Sequence, residues 1–183
     1  MSDQPALTAP EPHVVAVTVL GDDRPGIVAD VTSALAGVGG NLEDSTMTLL
    51  RGHFAMVVLV RTDRPTAEVE RALTPLSADG HLGVDVRELP EHDTSVMAGT
   101  GWTVHVHGAD RPGIVAAITR VVADHGGTIV DLGTRLGRDL YVLTLELILP
   151  AAASSQDLKT DLARVSVEFG VAVQLTPVDD EEL

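Results

Sequence analysis

The sequence predicts an α+β protein made of one module written twice. Each copy is a β-α-β-β-α-β run, expected to fold as a four-stranded antiparallel sheet with two helices on one face. Three observations lead there. The run Asp23-Arg24-Pro25-Gly26-Ile27-Val28-Ala29 returns as Asp110-Arg111-Pro112-Gly113-Ile114-Val115-Ala116, an offset of 87, and seven consecutive identities in one register mark an internal repeat. Segments of period-two and of helical apolar spacing follow one another in the same order in both copies. Hydrophobic residues make up 44% of the 183 positions and mean hydropathy is +0.20, too apolar for a disordered chain. Only 2% of residues are aromatic, so the core must be built from Val, Leu, Ile and Ala.

Val15, Val17 and Val19 alternate with Ala16, Thr18 and Leu20, which predicts the first strand. Gly-Asp-Asp-Arg-Pro-Gly then turns the chain. Ile27, Val31, Leu35 and Val38 fall at helical spacing, matched by Ile114, Ile118, Val122 and His125. Gly39-Gly40 and Gly126-Gly127 close these helices, because glycine supplies the left-handed cap. Two strands follow, about 41–50 and 53–62, joined by a tight turn at Arg51-Gly52; their counterparts are about 128–136 and 139–149, turning at Gly137-Arg138. A second helix is expected near 66–78 and 154–167, with Pro75 ending or kinking the first of these early. A last strand covers about 82–88 and 170–176. The offset of 87 also pairs Gly21 with Gly108, Phe54 with Tyr141 and Gly83-Val84 with Gly170-Val171, while Val69, Leu73 and Leu76 match Leu158, Leu162 and Val165 at 89. This predicts two extra residues before that segment of the second copy and two fewer after it. Right-handed crossovers place the first and third strands side by side in the centre of each sheet.

The segment Pro90 to Gly101, rich in Pro, Gly, Ser, Thr and acids, reads as a linker. The domains are then 13–89 and 102–178, with the linker at 90–101. A domain of about 75 residues buries little surface by itself, so packing between domains or a homodimer is expected. There are 12 Lys+Arg against 27 Asp+Glu, a net charge of −15. The ends and the linker hold eight of the acids and none of the bases, so much of the excess is solubilising. The balance argues against direct nucleic-acid binding, which needs a basic face, and against anionic membrane surfaces. The absence of cysteine excludes disulfides and thiolate sites. Met1 to Pro12 show no signal-peptide pattern, and no apolar run approaches a membrane span, so the expected location is the cytoplasm.

The repeated turn is where chemistry is expected. Proline suits a first helical turn, and glycine without a Cβ lets another group approach the backbone. The N–H groups that follow point outward at the positive end of a helix, a site suited to a small carboxylate. Asp23 or Asp110 is expected either to cap the helix or to accept from an ammonium group. The same residues also make a good turn with no ligand at all. Arg24 and Arg111 could clamp a carboxylate, but a solvated or interfacial arginine is the favoured reading.

The stretch Gly21 to Ser45 (strand, Gly-x-Asp-Arg-Pro-Gly-Ile-Val-Ala, helix, Gly-Gly-Asn-Leu-Glu-Asp-Ser) resembles an ACT domain. The tandem arrangement is similar to the glycine cleavage system transcriptional repressor group of double-ACT proteins. The resemblance covers essentially 13–178 and implies ferredoxin-like βαββαβ regulatory modules that bind amino acids at interfaces between paired domains. Carried onto this sequence, it implies ligand contacts from Asp23, Arg24, Pro25, Gly26 and Ile27 with Asn41 and Leu42. In the second copy it implies Asp110, Arg111, Pro112, Gly113 and Ile114 with Thr128 and Ile129. Thr128 replaces Asn41 and Ala109 replaces Asp22, so the second site looks poorer in polar groups and two unequal sites are expected. Glycine-lined turns admit a small ligand, and the resemblance implies glycine or serine.

Other signals are weaker. His105, His107 and Asp110 could hold a metal, yet the aligned residues Thr18 and Leu20 place the histidines on the sheet face away from the helices. No cofactor, metal site or catalytic residue is expected, since Asp22-Asp23 has no partner base or nucleophile at a useful spacing. Trp102 is expected to be a packing anchor. The functional expectation is therefore a non-catalytic amino-acid-sensing regulator acting through a protein partner such as a transcription factor. The alternatives are a regulatory subunit or relative of an enzyme such as formyltetrahydrofolate deformylase, which carries similar Asp-Arg-Pro-Gly-Ile-Val domains, and an oligomerisation module that binds nothing.

Overall fold

The structure is a computed structural model and describes residues 11–90, 98–137 and 140–178. The chain divides into two compact units, Met1–Asp93 and Thr94–Leu183. The first contains β1 (His13–Asp22), α1 (Ile27–Gly37), β2 (Asn41–Leu50), β3 (His53–Thr62), α2 (Thr66–Leu73) with a short 3-10 turn at Thr74–Ser77, and β4 (Leu82–Leu89). The second contains β5 (Thr100–Gly108), α3 (Ile114–Asp124), β6 (Thr128–Leu136), β7 (Tyr141–Leu149), α4 (Ser155–Phe169) and β8 (Val171–Pro177). Strand β5 opens two residues inside the expected linker; residues 91–97 of that linker, Arg138 and the acidic tail at 179–183 lie outside the described residues.

Each unit is a four-stranded antiparallel sheet, in the orders β2-β3-β1-β4 and β6-β7-β5-β8. The first and third strands of each copy occupy the centre, as right-handed crossovers require. Val15, Val17 and Val19 are buried against Ile27, Val31 and Leu35, and α2 adds Val69 and Leu73. The second core repeats this with Val104, Val106, Ile114, Ile118, Val122, Leu158, Leu162 and Val165. His125, at the place of Val38, is mostly covered; its Nε2 lies 3.0 Å from Asp161 Oδ2.

The strand register corrects one alignment. Val17 pairs with Val86 and Val104 with Leu175, so the last strands correspond at an offset of 89. Gly83 therefore matches Ala172, and the pairing of Gly83-Val84 with Gly170-Val171 does not hold. The two extra residues sit between β7 and α4 and are never removed downstream. Three residues, Asp63-Arg64-Pro65, join β3 to α2, whereas five, Pro150 to Ser154, join β7 to α4. The shorter link is tightened by buried Thr62, whose Oγ1 accepts the Arg64 N–H at 3.1 Å. Pro75 ends α2 as expected, with a 3-10 turn carrying the chain on; α4 has Arg164 at that place and runs unbroken over 15 residues.

Candidate functional site

The repeated turn is tied down from both sides. Gly26 has φ 91° and ψ −4°, the third position of a type II turn, and Gly113 has φ 97° and ψ −9°. An L side chain is strained at such angles, which is why both copies keep glycine. The helices therefore begin two residues later than the sequence implies. Gly26 and Gly113 are the caps, Ile27 and Ile114 the first helical residues, and Pro25 and Pro112 precede the helix instead of opening it. Neither Asp23 nor Asp110 caps its helix, because no side chain bonds at either cap. The expectation of an aspartate cap is thus overturned, since the left-handed glycine turns the chain before the aspartate can reach back. The Asp23 N–H instead donates to the Gly52 carbonyl at 3.3 Å, anchoring the turn to the β2–β3 hairpin.

The helix starts keep free donors. Asp30 N–H bonds Gly26 O at 2.9 Å and Ala117 N–H bonds Gly113 O at 2.9 Å, closing the first helical hydrogen bonds. Ile27 N–H reaches Arg24 O at a long 3.5 Å. Among the described residues, the N–H groups of Val28 and Ala29, and of Val115 and Ala116, donate to no protein oxygen. Such unpaired donors carry the positive end of the helix dipole. In the first unit they border a shallow open depression of about 460 Å³, walled by Asp23, Arg24, Met47 and Phe54 beside the α1 start.

The arginines are engaged elsewhere. Arg24 Nη1 lies 2.8 Å from Asp30 Oδ2, both half-exposed. In the second copy Ala117 stands at the place of Asp30, and the Arg111 guanidinium lies against Gly170 at the end of α4. This agrees with the favoured reading of both as surface side chains.

Within one unit the carried-over residues do not meet. Asn41 pairs with Arg61, which faces Val14, while Asp22 at the other end of β1 faces His53. The β2 entry, Asn41-Leu42, thus lies roughly 27 Å of strand length from the turn Asp23–Ile27. Thr128-Ile129 stands in the same way to Asp110–Ile114, pairing with Ile148 and Leu147 while Gly108 pairs with Tyr141. In each copy a β-bulge follows, at Leu42/Asp44 and at Ile129/Asp131.

Three residues outside the expected set gather at the first turn. Asp22 takes His81 Nδ1 at 3.0 Å and His53 Nδ1 at 3.8 Å, and its N–H donates to the His81 carbonyl at 3.0 Å. The hydrogen bond to Asp22 and the charges of Asp79 and Asp22 raise the His81 pKa above 6.5. No sequence spacing linked these histidines; only the register of β3 and β4 against β1 brings them together. The second turn instead has aromatic neighbours, Phe169 about 3.5 Å from the position a Cβ on Gly113 would take, and Tyr141, paired with Gly108 and sharing a core with Ile114. His105 and His107 are exposed on the face away from the helices, His105 Nδ1 lying 3.5 Å from Thr144 Oγ1. Among the described residues no cluster of three or more His, Asp or Glu could hold a metal ion, and no helix is long and apolar enough to cross a membrane.

Comparison with known proteins bears on this arrangement. The ACT domain family model matches residues 13–87 and 103–176. The glycine cleavage system transcriptional repressor of Escherichia coli is 28% identical over 130 residues, 70% of this chain and 68% of that protein. A UPF0237 protein of Methanopyrus kandleri is 48% identical over 71 residues, 38% of this chain and 79% of that protein. The crystal structure of an unknown protein from Galdieria sulphuraria superposes with a TM-score of 0.76 at 33% identity, covering 92% of this chain and 99% of that one. The doubled sheet-and-helix order, the glycine-capped turn in each copy and the match across both repeats agree: the chain belongs to the ACT domain family, as a tandem pair.

Proposed function

We propose that this protein is a non-catalytic regulator that senses a small amino acid, glycine or serine, and acts on amino-acid metabolism through a protein partner such as a transcription factor. The observation that carries the reading is the pair of glycine-capped helix starts, each with unpaired N–H donors beside an aspartate. The donors suit an α-carboxylate, and Asp23 or Asp110 suits an α-ammonium. The separation of Asn41-Leu42 from the turn supports a ligand held where two domains pair, with the β2 entry of a paired domain completing the cradle. A homodimer supplies that pairing. Ligand binding then shifts the balance between pairing states in proportion to its different affinity for them. Relationship to the glycine cleavage system transcriptional repressor supports control of transcription. The net charge of −15 favours a protein intermediary over direct contact with nucleic acid, and the absence of cysteine suits the cytoplasm.

A thermal-shift panel of the twenty amino acids tests this. A ligand at about 100 times its Kd stabilises the native state by about 2.7 kcal/mol. Glycine or serine is expected to raise Tm, and replacing Asp23 and Asp110 together by Ala is expected to abolish the rise. A flat panel would leave a structural oligomerisation module.

A further inference from the structure

The two turns differ in one buried atom. Tyr141 is 8% exposed and packs in the second core with Ile114, the first residue of α3. It stands at the start of β7, opposite Gly108, two residues before Asp110. Its hydroxyl is buried and has no hydrogen-bond partner among the described residues. Burial and then the nearby Asp110 charge raise the Tyr141 pKa, so the phenol keeps its proton and remains a donor. The matching residue of the first copy, Phe54, walls the depression beside Gly26, Ile27, Val28 and Ala29. Phe54 serves that wall with no polar atom, whereas Tyr141 adds an oxygen whose burial without a partner is unfavourable.

We propose that Tyr141 is the specificity-determining residue of the second turn, its hydroxyl hydrogen-bonding a side-chain oxygen of the ligand seated at Asp110–Gly113. The inference rests on the amino-acid reading above and sharpens it. The second site takes a small hydroxyl-bearing amino acid, while the first, with Phe54, is indifferent to the hydroxyl. A site built to bond a hydroxyl rejects the analogue lacking it, because its own polar group is then left unpaired. The apparent poverty of this site in polar groups is thus offset by one group that the turn motif does not contain.

The test uses the full chain with L-serine, L-alanine and glycine as probes in calorimetric titration. The wild type is expected to bind L-serine about tenfold more tightly than L-alanine at one of its two sites, the gain of one well-made hydrogen bond. Tyr141→Phe is expected to shrink that preference to within about twofold while Tm stays level or rises, since an unpartnered hydroxyl is removed. Tyr141 is the sole tyrosine, so a ¹³Cζ-tyrosine label gives one NMR resonance, expected to move with L-serine and far less with L-alanine. An unchanged preference in Tyr141→Phe, or a resonance unmoved at saturating L-serine, overturns the inference and leaves amino-acid sensing standing. No binding of any of the three probes by the wild type overturns both.

Discussion

The two repeats begin from the same seven-residue turn and finish it differently. In the first, a three-residue link and Pro75 give a short α2, and the chain returns to β4 through Ala78–His81, which sets His81 on Asp22. In the second, a five-residue link and an unbroken α4 carry Phe169 to Gly113, with Gly170 at φ 63° starting β8 at once. Ala109 has replaced Asp22, and Gly170 stands where His81 does. A duplicated turn thus acquires charged neighbours in one copy and aromatic ones in the other. The turn itself sets only where backbone donors point; the return from the second helix decides what surrounds them.

The largest effect expected from this difference lies at a glycine common to both copies. A Cβ on Gly21 would fall 2.0 Å from the His81 carbonyl oxygen, which the Asp22 N–H holds in place. On Gly108 it would fall 2.9 Å from Val171 Cγ1 and 3.1 Å from its Cα. Gly21→Ala is expected to cost about 3 kcal/mol and Gly108→Ala about 1 kcal/mol. Trp102, the sole tryptophan, packs against the second core, so its emission follows that unit while far-UV circular dichroism follows both. Gly21→Ala should lower the denaturation midpoint by circular dichroism and leave the Trp102 transition in place. Equal losses for the two variants would erase the distinction drawn between the copies.

The next effect separates the second helices. Ser154 caps α4, its Oγ accepting the Asp157 N–H at 3.2 Å, whereas α2 starts after Pro65 with no side-chain cap. Ser154→Ala is expected to destabilise the second unit by about 1 kcal/mol, read from the Trp102 transition. A smaller gain is available in the first unit. Arg51 has φ 52° and Gly52 φ 89°, the two left-handed positions of a tight hairpin between paired Leu50 and His53. Arg51→Asn should raise the Tm of the first unit by the equivalent of about 0.5 kcal/mol, since asparagine tolerates this conformation better.

Much of this organisation was legible in the residues. The repeat, the period-two valines and the glycine-proline punctuation fixed the number and order of elements, because backbone geometry and apolar burial act locally. The offset of the last strand is ambiguous in the sequence because each copy has one Gly-Val there, inside β4 but at the start of β8, and only hydrogen-bond register against the central strand shows that the two do not correspond. The helix start lies two residues beyond the proline that marks it in the sequence, because Pro-Gly serves a type II turn as readily as a first helical turn. His53 with His81, and Tyr141 with Asp110, were invisible as pairs. Each joins residues from separate strands or loops, and no sequence spacing encodes such a meeting.

The smallest effect expected is the pH response of the first turn. His81 is stabilised in its protonated form by its ring hydrogen bond to Asp22 and then by the charges of Asp79 and Asp22, with His53 as the other titratable neighbour of Asp22. A raised folded pKa means that the folded state holds the proton more tightly than the unfolded chain. The contribution is therefore complete below pH 6.5 and fades as pH rises through the higher folded value. Both side chains are largely exposed, so solvent screens the pair and the effect is small and sensitive to salt. Histidine NMR titration should show the His81 midpoint fall in Asp22→Asn relative to the wild type. The second turn, with Ala109 and Gly170 at the matching places, should show no such response. A His81 titration unaffected by Asp22→Asn would mean that the carboxylate does not hold the ring, and the charged character assigned to the first turn would fall with it.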